Sequence, residues 1–444
     1  MKNKYFGTDG VRGLAGEKLT PNIAYRIGRY IGQYPNGTKN RFLIARDTRI
    51  SGQMLLSSLV AGILASGSEV FDLGVSTTPS VSYLVRKHNF DYGIMISASH
   101  NPFYDNGIKI FNREGEKLEN EIEFLIEGYI DSFVDDLPIA KNNEMGIYHD
   151  SSALIDEYVD FLVEKANTIQ DLKVLADCAN GSASVVAPKL FARLGLHVTF
   201  IHAEPNGINI NDQCGSTHME DLQEKMKKGH YDIGLAFDGD ADRLLLVGPK
   251  GNLIDGDAIM YLSALNMRDR GKLNQNKVVA TVMSNLGLKV ALKKEGIEIE
   301  EVQVGDKYVQ AMLKEKNLSL GGEQSGHVIY LQDLNTGDGL LTAIKILKTL
   351  YYTKKTIDEL VAEYHVYPQK LVNVKVVNKE AVIAHQGLKT LIREQEAILD
   401  GNGRILVRPS GTENLVRVMV EANSIDICER ICDTVVSYVK KLDF

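Results

Sequence analysis

RFLIARDTRISGQMLLSSLVAGILASGSEVFDLG, residues 41–74, is the stretch on which the reading of the fold turns. The apolar run FLIAR ends in a polar loop, DTRISG. After it Leu55, Leu56, Leu59, Val60, Ile63 and Leu64 recur at helical spacing, Gly67 stops the pattern, and a second short run, EVFDLG, follows. That succession predicts strand, helix, strand. The same order returns at 173–202, where KVLADC, the loop ANGSAS, the helical VVAPKLFARL and Gly195 lead into HVTFIH. It returns again at 277–304, with VVATVM, SNLG, a helix to Lys294, Gly296 and IEIEEVQV. Three such units imply three related mixed α/β domains, each a sheet covered by helices. Beyond about residue 368 the order changes. LVNVKVV, a long helix from about Glu380, GRILVR, LVRVMVEA and a final helix from Ile425 predict a smaller α+β domain. The expected domains, grouped around a central cleft, are 1–153, 154–253, 254–367 and 368–444.

The bulk properties agree. A chain of 444 residues is long enough for several cores, and 44% hydrophobic with 24% charged residues is the balance of a globular protein. A net charge of −8 argues against a broad nucleic-acid face, so any phosphate must be gripped locally. Four cysteines without a ligand cluster around them fit a reducing compartment. MKNKYFGTDG lacks the apolar core of a signal peptide, and Ile50 to Ser68, rich in Ser and Gly, reads as a buried helix and not a membrane span. A cytoplasmic protein is expected.

Four polar loops carry the candidate chemistry. Ser97-Ala-Ser99-His100-Asn-Pro102 follows the apolar strand 92–96, and a loop at the carboxyl end of a buried strand is where open α/β sheets place reactive groups. Pro102 restricts the turn, which suits a nucleophile, although an isolated Ser-His pair is more often a self-bonded turn. Asp238-Gly-Asp240-Ala-Asp242-Arg243 sets three carboxylates in a tight loop between two apolar strands, where they repel one another unless a cation joins them. An EF-hand would need Gly sixth and Glu twelfth; those positions hold Arg243 and Pro249, which favours Mg²⁺ over Ca²⁺. Arg408-Pro-Ser410-Gly411-Thr412-Glu-Asn414, with Arg417 beyond it, offers the hydroxyls, amides and guanidinium groups of a phosphate site without P-loop spacing. Gly321-Gly-Glu323-Gln-Ser325-Gly-His327 offers alternating donors and acceptors to a polyhydroxylated ligand. Each also reads as an ordinary turn. One in each proposed domain, together they describe phosphoryl transfer on a sugar phosphate.

The stretches FGTDGVRG, MISASHNP, AFDGDADR, GGEQSGH and RPSGTENLVRV, in that order, resemble the α-D-phosphohexomutase superfamily, and within it the bacterial enzymes that act on glucosamine phosphates. ARDTRISG, DCANG, NINDQCGSTH and TGDGLL extend the resemblance along the whole chain. Gln324 and the N-terminal FGTDGVRG point to glucosamine, while Ala241, Lys307 and Asn414 replace the more usual Gly, Arg and Pro. The resemblance implies an isomerase that interconverts glucosamine 6-phosphate and glucosamine 1-phosphate through a phosphorylated Ser99 and a glucosamine 1,6-bisphosphate intermediate, feeding UDP-N-acetylglucosamine and cell-wall synthesis. Mg²⁺ would be held by Asp238, Asp240, Asp242 and a phosphate oxygen on Ser99. Arg12 and Arg243 would steady the transferring group, and Lys109 and His100 would move protons. Glu323, Ser325 and His327 would read hydroxyls, while Arg408, Ser410, Gly411, Thr412 and Arg417 would hold the second phosphate. A homodimer with no nucleic-acid or membrane partner is implied. The rivals are a phosphomannomutase or phosphoglucomutase of the same superfamily, a non-catalytic sugar-phosphate sensor, and a metal-dependent phosphatase.

Overall fold

The computed structural model describes residues 4–7, 9–35, 37–132, 134–410 and 414–442. The chain divides into two compact units, residues 1–283 with 299–361, and 284–298 with 362–444.

In the first unit, the stretch 41–74 forms a strand Arg41–Arg46, a helix Gly52–Ala65 and a strand Glu69–Val75, the two strands adjacent and parallel. Leu55, Leu56, Leu59 and Ile63 are buried, as their spacing requires. The sheet has seven strands in the order Phe6–Gly7, Gly10–Leu14, Asp105–Phe111, Tyr92–Ile96, Arg41–Arg46, Glu69–Val75 and Tyr148–Asp150. Its central strands are near-continuous apolar runs because helices cover both faces. The second repeat gives parallel strands Lys173–Asp177 and His197–Ile201 beside Ile233–Phe237, Leu244–Val247 and Leu253–Ile254. The third sheet runs Glu298–Val302, Lys277–Thr281, Leu320–Gly322, Val328–Tyr330. Mixed α/β sheets with covering helices are therefore the fold. Among the described residues no helix is long and apolar enough to cross a membrane.

The second unit holds a three-stranded antiparallel sheet in the order Gln369–Lys375, Leu415–Ala422, Gly403–Pro409, with the helix Ile425–Lys441 packed on it through Cys428, Ile431, Cys432, Val435 and Val439. One detail departs from the sequence reading. The long helix expected from Glu380 is two, Lys379–Ala384 and Gln386–Leu399, because His385 is extended and its ring caps the second by accepting from the Leu388 N–H at 3.3 Å. The helix Leu286–Lys294 forms where the third repeat predicts it, and it lies in the second compact unit. The buried Glu421 carboxylate explains this: it accepts from Leu286 N–H (3.0 Å) and Asn285 Nδ2 (3.3 Å) while paired with Arg404 at 2.6 Å.

Candidate active site

Ser99 stands beyond the end of the buried strand Tyr92–Ile96 with φ +52°, a left-handed conformation that a non-glycine residue keeps only when its surroundings hold it there. Those surroundings are explicit. Arg49, fully buried, donates through Nη2 to the carbonyls of Ser99 (2.9 Å) and Asn101 (2.8 Å) and through Nη1 to those of Asp105 (3.0 Å) and Pro102. Asn211 Nδ2 donates to the Ser99 and Asn101 carbonyls at 2.9 and 3.0 Å. Asp47 pairs with Arg49 at 2.8 Å and accepts from Ser97 Oγ at 2.6 Å, and Ser97 Oγ in turn accepts from Ser99 N–H at 2.9 Å. The result is a rigid loop whose Ser99 hydroxyl donates to Asp238 Oδ2 at 2.6 Å.

Asp238, Asp240 and Asp242 are all buried and offer carboxylate oxygens within 4.8 Å of one another. Burial, reinforced by Asp242 and Asp240, pushes the Asp238 carboxyl well above the usual range. Asp240 Oδ1 and Asp242 Oδ1 are buried without a hydrogen-bond partner. Orphaned carboxylate oxygens this deep are costly unless a cation takes them, and an all-oxygen set fits a hard divalent metal. Gly239 is the point of contact between the two loops: a Cβ there would stand 2.4 Å from the Ser99 carbonyl. Ala241 has φ +57°.

Four cations surround this cluster. Lys109, buried in the strand Asp105–Phe111, places Nζ 2.8 Å from Asp240 Oδ2, 3.3 Å from Asp242 Oδ2 and 2.9 Å from Asp9 Oδ2. Burial opposes its charge, but these three carboxylates outweigh it and hold the amine well above its usual range. Lys109 is thus held as an ammonium among three carboxylates. Arg12 pairs with Asp9, and Lys117 Nζ reaches Asp9 Oδ1 at 2.7 Å and Asp306 at 2.5 Å. Burial works against an ionised Asp9, yet Lys109, Lys117 and Arg12 together keep its carboxyl well below the usual range. The Arg243 N–H donates to Asp238 Oδ1 at 3.2 Å, and its Nε is buried without a hydrogen-bond partner. His100 Nδ1 lies 3.4 Å from Ser99 Oγ. Burial, then Arg243 and Arg12, push that ring down to about 4, so it is neutral at pH 7.

The hairpin Leu320–Gly322/Val328–Tyr330 delivers the Glu323–His327 loop to the same place, with Leu244 N–H donating to the Gly326 carbonyl at 3.1 Å. Gly326 has φ +92°, and a Cβ on it would meet the Leu244 carbonyl at 2.2 Å. Glu323 accepts from Gly305 N–H at 3.0 Å, and Ser325 Oγ lies 3.5 Å from it. Both are half-buried. His327 differs: it is buried, with Nδ1 3.7 Å from Asp242 and Nε2 accepting from Gly337 N–H at 3.1 Å. Burial resists a second proton, but Asp242, then Asp306 and Glu323, push the ring to about 9, and taking that proton would break the Gly337 bond. The ring thus faces the metal loop through Asp242. Three of the four loops thus meet at Asp238–Asp242.

The fourth lies in the second unit. Arg408 and Arg417 are direct cross-strand partners, and each has its Nε buried without a hydrogen-bond partner. Burial and the Arg417 charge pull Arg408 below its usual range, as two like charges side by side must. Ser410 is buried, and its carbonyl accepts from Lys379 Nζ at 2.6 Å. Gly411 and Thr412 lie outside the described residues. Sequence reasoning left Asp9, Arg49, Lys117, Asp306 and Asn211 without roles, although FGTDGVRG, ARDTRISG and NINDQCGSTH contain three of them.

Family models of phosphoglucomutase/phosphomannomutase α/β/α domains I, II and III and of the C-terminal domain match residues 3–134, 156–251, 255–367 and 371–437. The chain belongs to the phosphoglucomutase/phosphomannomutase family. Proteins called phosphoglucosamine mutase from Bacillus licheniformis and Bacillus subtilis are each 48% identical over 440 residues, with 98% of each chain covered. The one from Anoxybacillus flavithermus is 47% identical over 441 residues, covering 99% of both. A solved phosphoglucomutase/phosphomannomutase family protein from Burkholderia thailandensis superposes with TM-score 0.81 at 25% identity, over 100% of this chain and 99% of its own. The N-acetylphosphoglucosamine mutase of Aspergillus fumigatus, solved with GlcNAc-6P and magnesium, shares the fold at TM-score 0.72 and 19% identity, covering 99% and 96%.

Proposed function

We propose that this chain is a phosphoglucosamine mutase: an isomerase that moves a phosphoryl group between O6 and O1 of glucosamine phosphate by way of a phosphorylated Ser99. The observation that carries this reading is the contact between Ser99 Oγ and Asp238 at 2.6 Å, made between two loops 139 residues apart. A hydroxyl destined to bear a phosphoryl group stands there against the carboxylates that would hold its counter-cation. Full-length relatives at 48% identity, all named for glucosamine, support the choice of sugar.

Asp238, Asp240 and Asp242, together with a phosphate oxygen on Ser99, would hold Mg²⁺, which when bound neutralises the charge that builds on the phosphoryl oxygens. The remaining work falls to the chain. The rigid loop aims Ser99, and Arg243 and Arg12 stand beside the cluster to steady the transferring group. As the Ser99 O–P bond breaks, a bond from phosphorus to the sugar oxygen forms and the proton of the sugar hydroxyl must reach the leaving Ser99 oxygen; His100, neutral with Nδ1 3.4 Å from Oγ, and Lys109 are assigned that transfer. Glu323, Ser325 and His327 would read the ligand's hydroxyls. In the second unit Arg408, Ser410, Gly411, Thr412 and Arg417 would bind the phosphate that is not reacting. Glucosamine 1,6-bisphosphate then turns end for end and returns a phosphoryl group to Ser99. We assign the four loops to domains 1–153, 154–253, 254–367 and 368–444, and the protein to the cytoplasm as a homodimer that binds a sugar phosphate and neither nucleic acid nor membrane.

The test is Ser99→Ala. Turnover of glucosamine 6-phosphate should vanish while sugar-phosphate binding, read by calorimetry, persists. An essentially normal rate in that variant with added bisphosphate rejects the nucleophile. Equal kcat/KM on glucose, mannose and glucosamine 1-phosphates rejects the sugar assignment.

A further inference from the structure

Lys109 and the metal loop make competing demands on the same atoms. The Lys109 ammonium stands 2.8 Å from Asp240 Oδ2 and 3.3 Å from Asp242 Oδ2, and both carboxylates belong to the triad assigned above to a divalent cation. A lone pair given to an ammonium is weakened as a metal ligand, and two cations pressed together repel. A third carboxylate resolves the conflict. Asp9 Oδ2 lies 2.9 Å from the same Nζ, and Asp9 is not one of the three residues whose oxygens converge. It is also anchored from the far side: Asp9 Oδ1 is 2.7 Å from Lys117 Nζ, and Lys117 is gripped by both oxygens of Asp306 at 2.7 and 2.5 Å. Asp9 cannot follow Lys109 toward the triad without leaving Lys117.

We propose that Asp9 is a positioning residue that draws the Lys109 ammonium off Asp240 and Asp242, so that a divalent cation can use those oxygens while the lysine charge stays beside the reacting group. Asp9 acts on the metal only through Lys109. The proposal rests on the metal reading given above. It predicts that the loop's affinity for a divalent cation depends on a residue more than 200 positions away in sequence that never touches the ion.

The probe is Mn²⁺, whose free concentration is read by electron paramagnetic resonance, titrated into wild type, Asp9→Asn, Lys109→Met and the double variant. Asp9→Asn should weaken Mn²⁺ binding roughly tenfold, the equivalent of about 1.4 kcal/mol. In the Lys109→Met background the same substitution should change affinity less than about twofold, since coupling of this kind is what a double-mutant cycle isolates. An Asp9→Asn effect of equal size with and without Lys109 overturns the proposal, because a carboxylate acting only through its long-range field would behave that way. Wild type that binds no Mn²⁺ overturns the metal reading as well. Should Lys109→Met fail to fold, the crystal structure of Mg²⁺-loaded wild type decides. Lys109 Nζ is expected on Asp9 and beyond hydrogen-bond reach of Asp240; an ammonium still on Asp240 beside the metal refutes the idea.

Discussion

Arg49→Lys is the substitution that most directly tests whether Ser99 is aimed by its surroundings. Arg49 is 1% exposed, and its planar fork serves four backbone carbonyls, those of Ser99, Asn101, Pro102 and Asp105, besides the Asp47 carboxylate. Lysine keeps the charge, so Asp47 is not stranded, but a single ammonium has three donors on one atom and cannot span five acceptors. At least two charge-assisted hydrogen bonds are lost, a cost of about 2–4 kcal/mol once the remaining contacts adjust. The catalytic effect should exceed what stability alone explains. Ser99 holds a left-handed φ because these bonds restrain it, and a displacement of the nucleophile by about 1 Å is worth roughly a hundredfold in rate. The expected phenotype is a kcat for glucosamine 6-phosphate about a hundredfold lower and a KM nearly unchanged, since no residue proposed to bind the sugar phosphate touches Arg49. The assay couples product formation to its consumption, at a temperature where circular dichroism shows the variant folded. A folded Arg49→Lys enzyme with kcat within about threefold of wild type would refute the idea that this fork sets the geometry of Ser99.

Two further outcomes follow from individual residues. Ala241 sits at φ +57° in the metal loop, so Ala241→Gly should relieve strain of about 1 kcal/mol, less what the freer unfolded chain takes back, and raise the urea midpoint slightly; a clear fall shows that the alanine methyl packs usefully there. His100, pushed down to about 4 by burial and then by Arg243 and Arg12, stays neutral while the unfolded chain protonates near 6.5. The unfolded state therefore binds the extra proton between those values, and stability falls as pH drops through that window, by roughly 1–2 kcal/mol from pH 7 to pH 5. His100→Asn should flatten that part of the urea-midpoint profile, and an unchanged acid slope shows that the imidazole is not held neutral.

How much of this was legible depended on whether partners are close in sequence. The strand-helix-strand repeats were readable from 41–74 because backbone periodicity is local, and the four loops were readable because each packs its donors or acceptors into ten residues or fewer. The helix Leu286–Lys294 carries the same local pattern as its counterparts, so nothing in it announced that Glu421 would tie it to the C-terminal sheet. His385 was missed as a break because a lone histidine in a polar helical stretch carries no breaker signal, whereas its use as a cap depends on the chain's turn there. Asp9, Lys117 and Asp306 each look like ordinary solvated charges; only the topology makes them one chain of ion pairs.

That topology also explains why two cations of the site, Arg12 and Lys109, come from strands and the carboxylates of Asp238, Asp240 and Asp242 from a loop. Carboxylates meant to share a metal profit from adjustable backbone, and the Asp238–Asp242 turn, with Ala241 in a left-handed conformation, provides it. Positive charges that must stay buried beside them need fixed positions. The strands Gly10–Leu14, Asp105–Phe111 and Tyr92–Ile96 are neighbours, with Arg12 opposite Gly107 and Lys109 opposite Met95. Gly107 is what lets this work: a Cβ there would stand 2.4 Å from the Ser97 carbonyl and 3.1 Å from Arg12 Cγ. Because successive residues of a strand face opposite sides, a register slip of one residue would carry Lys109 to the other face of the sheet and leave Asp9, Asp240 and Asp242 without their shared cation. The same hydrogen-bond ladder that shapes the first sheet thus fixes the electrostatics of the site, and Lys109→Gln, which removes the ammonium charge, should disturb the metal loop more than the sheet.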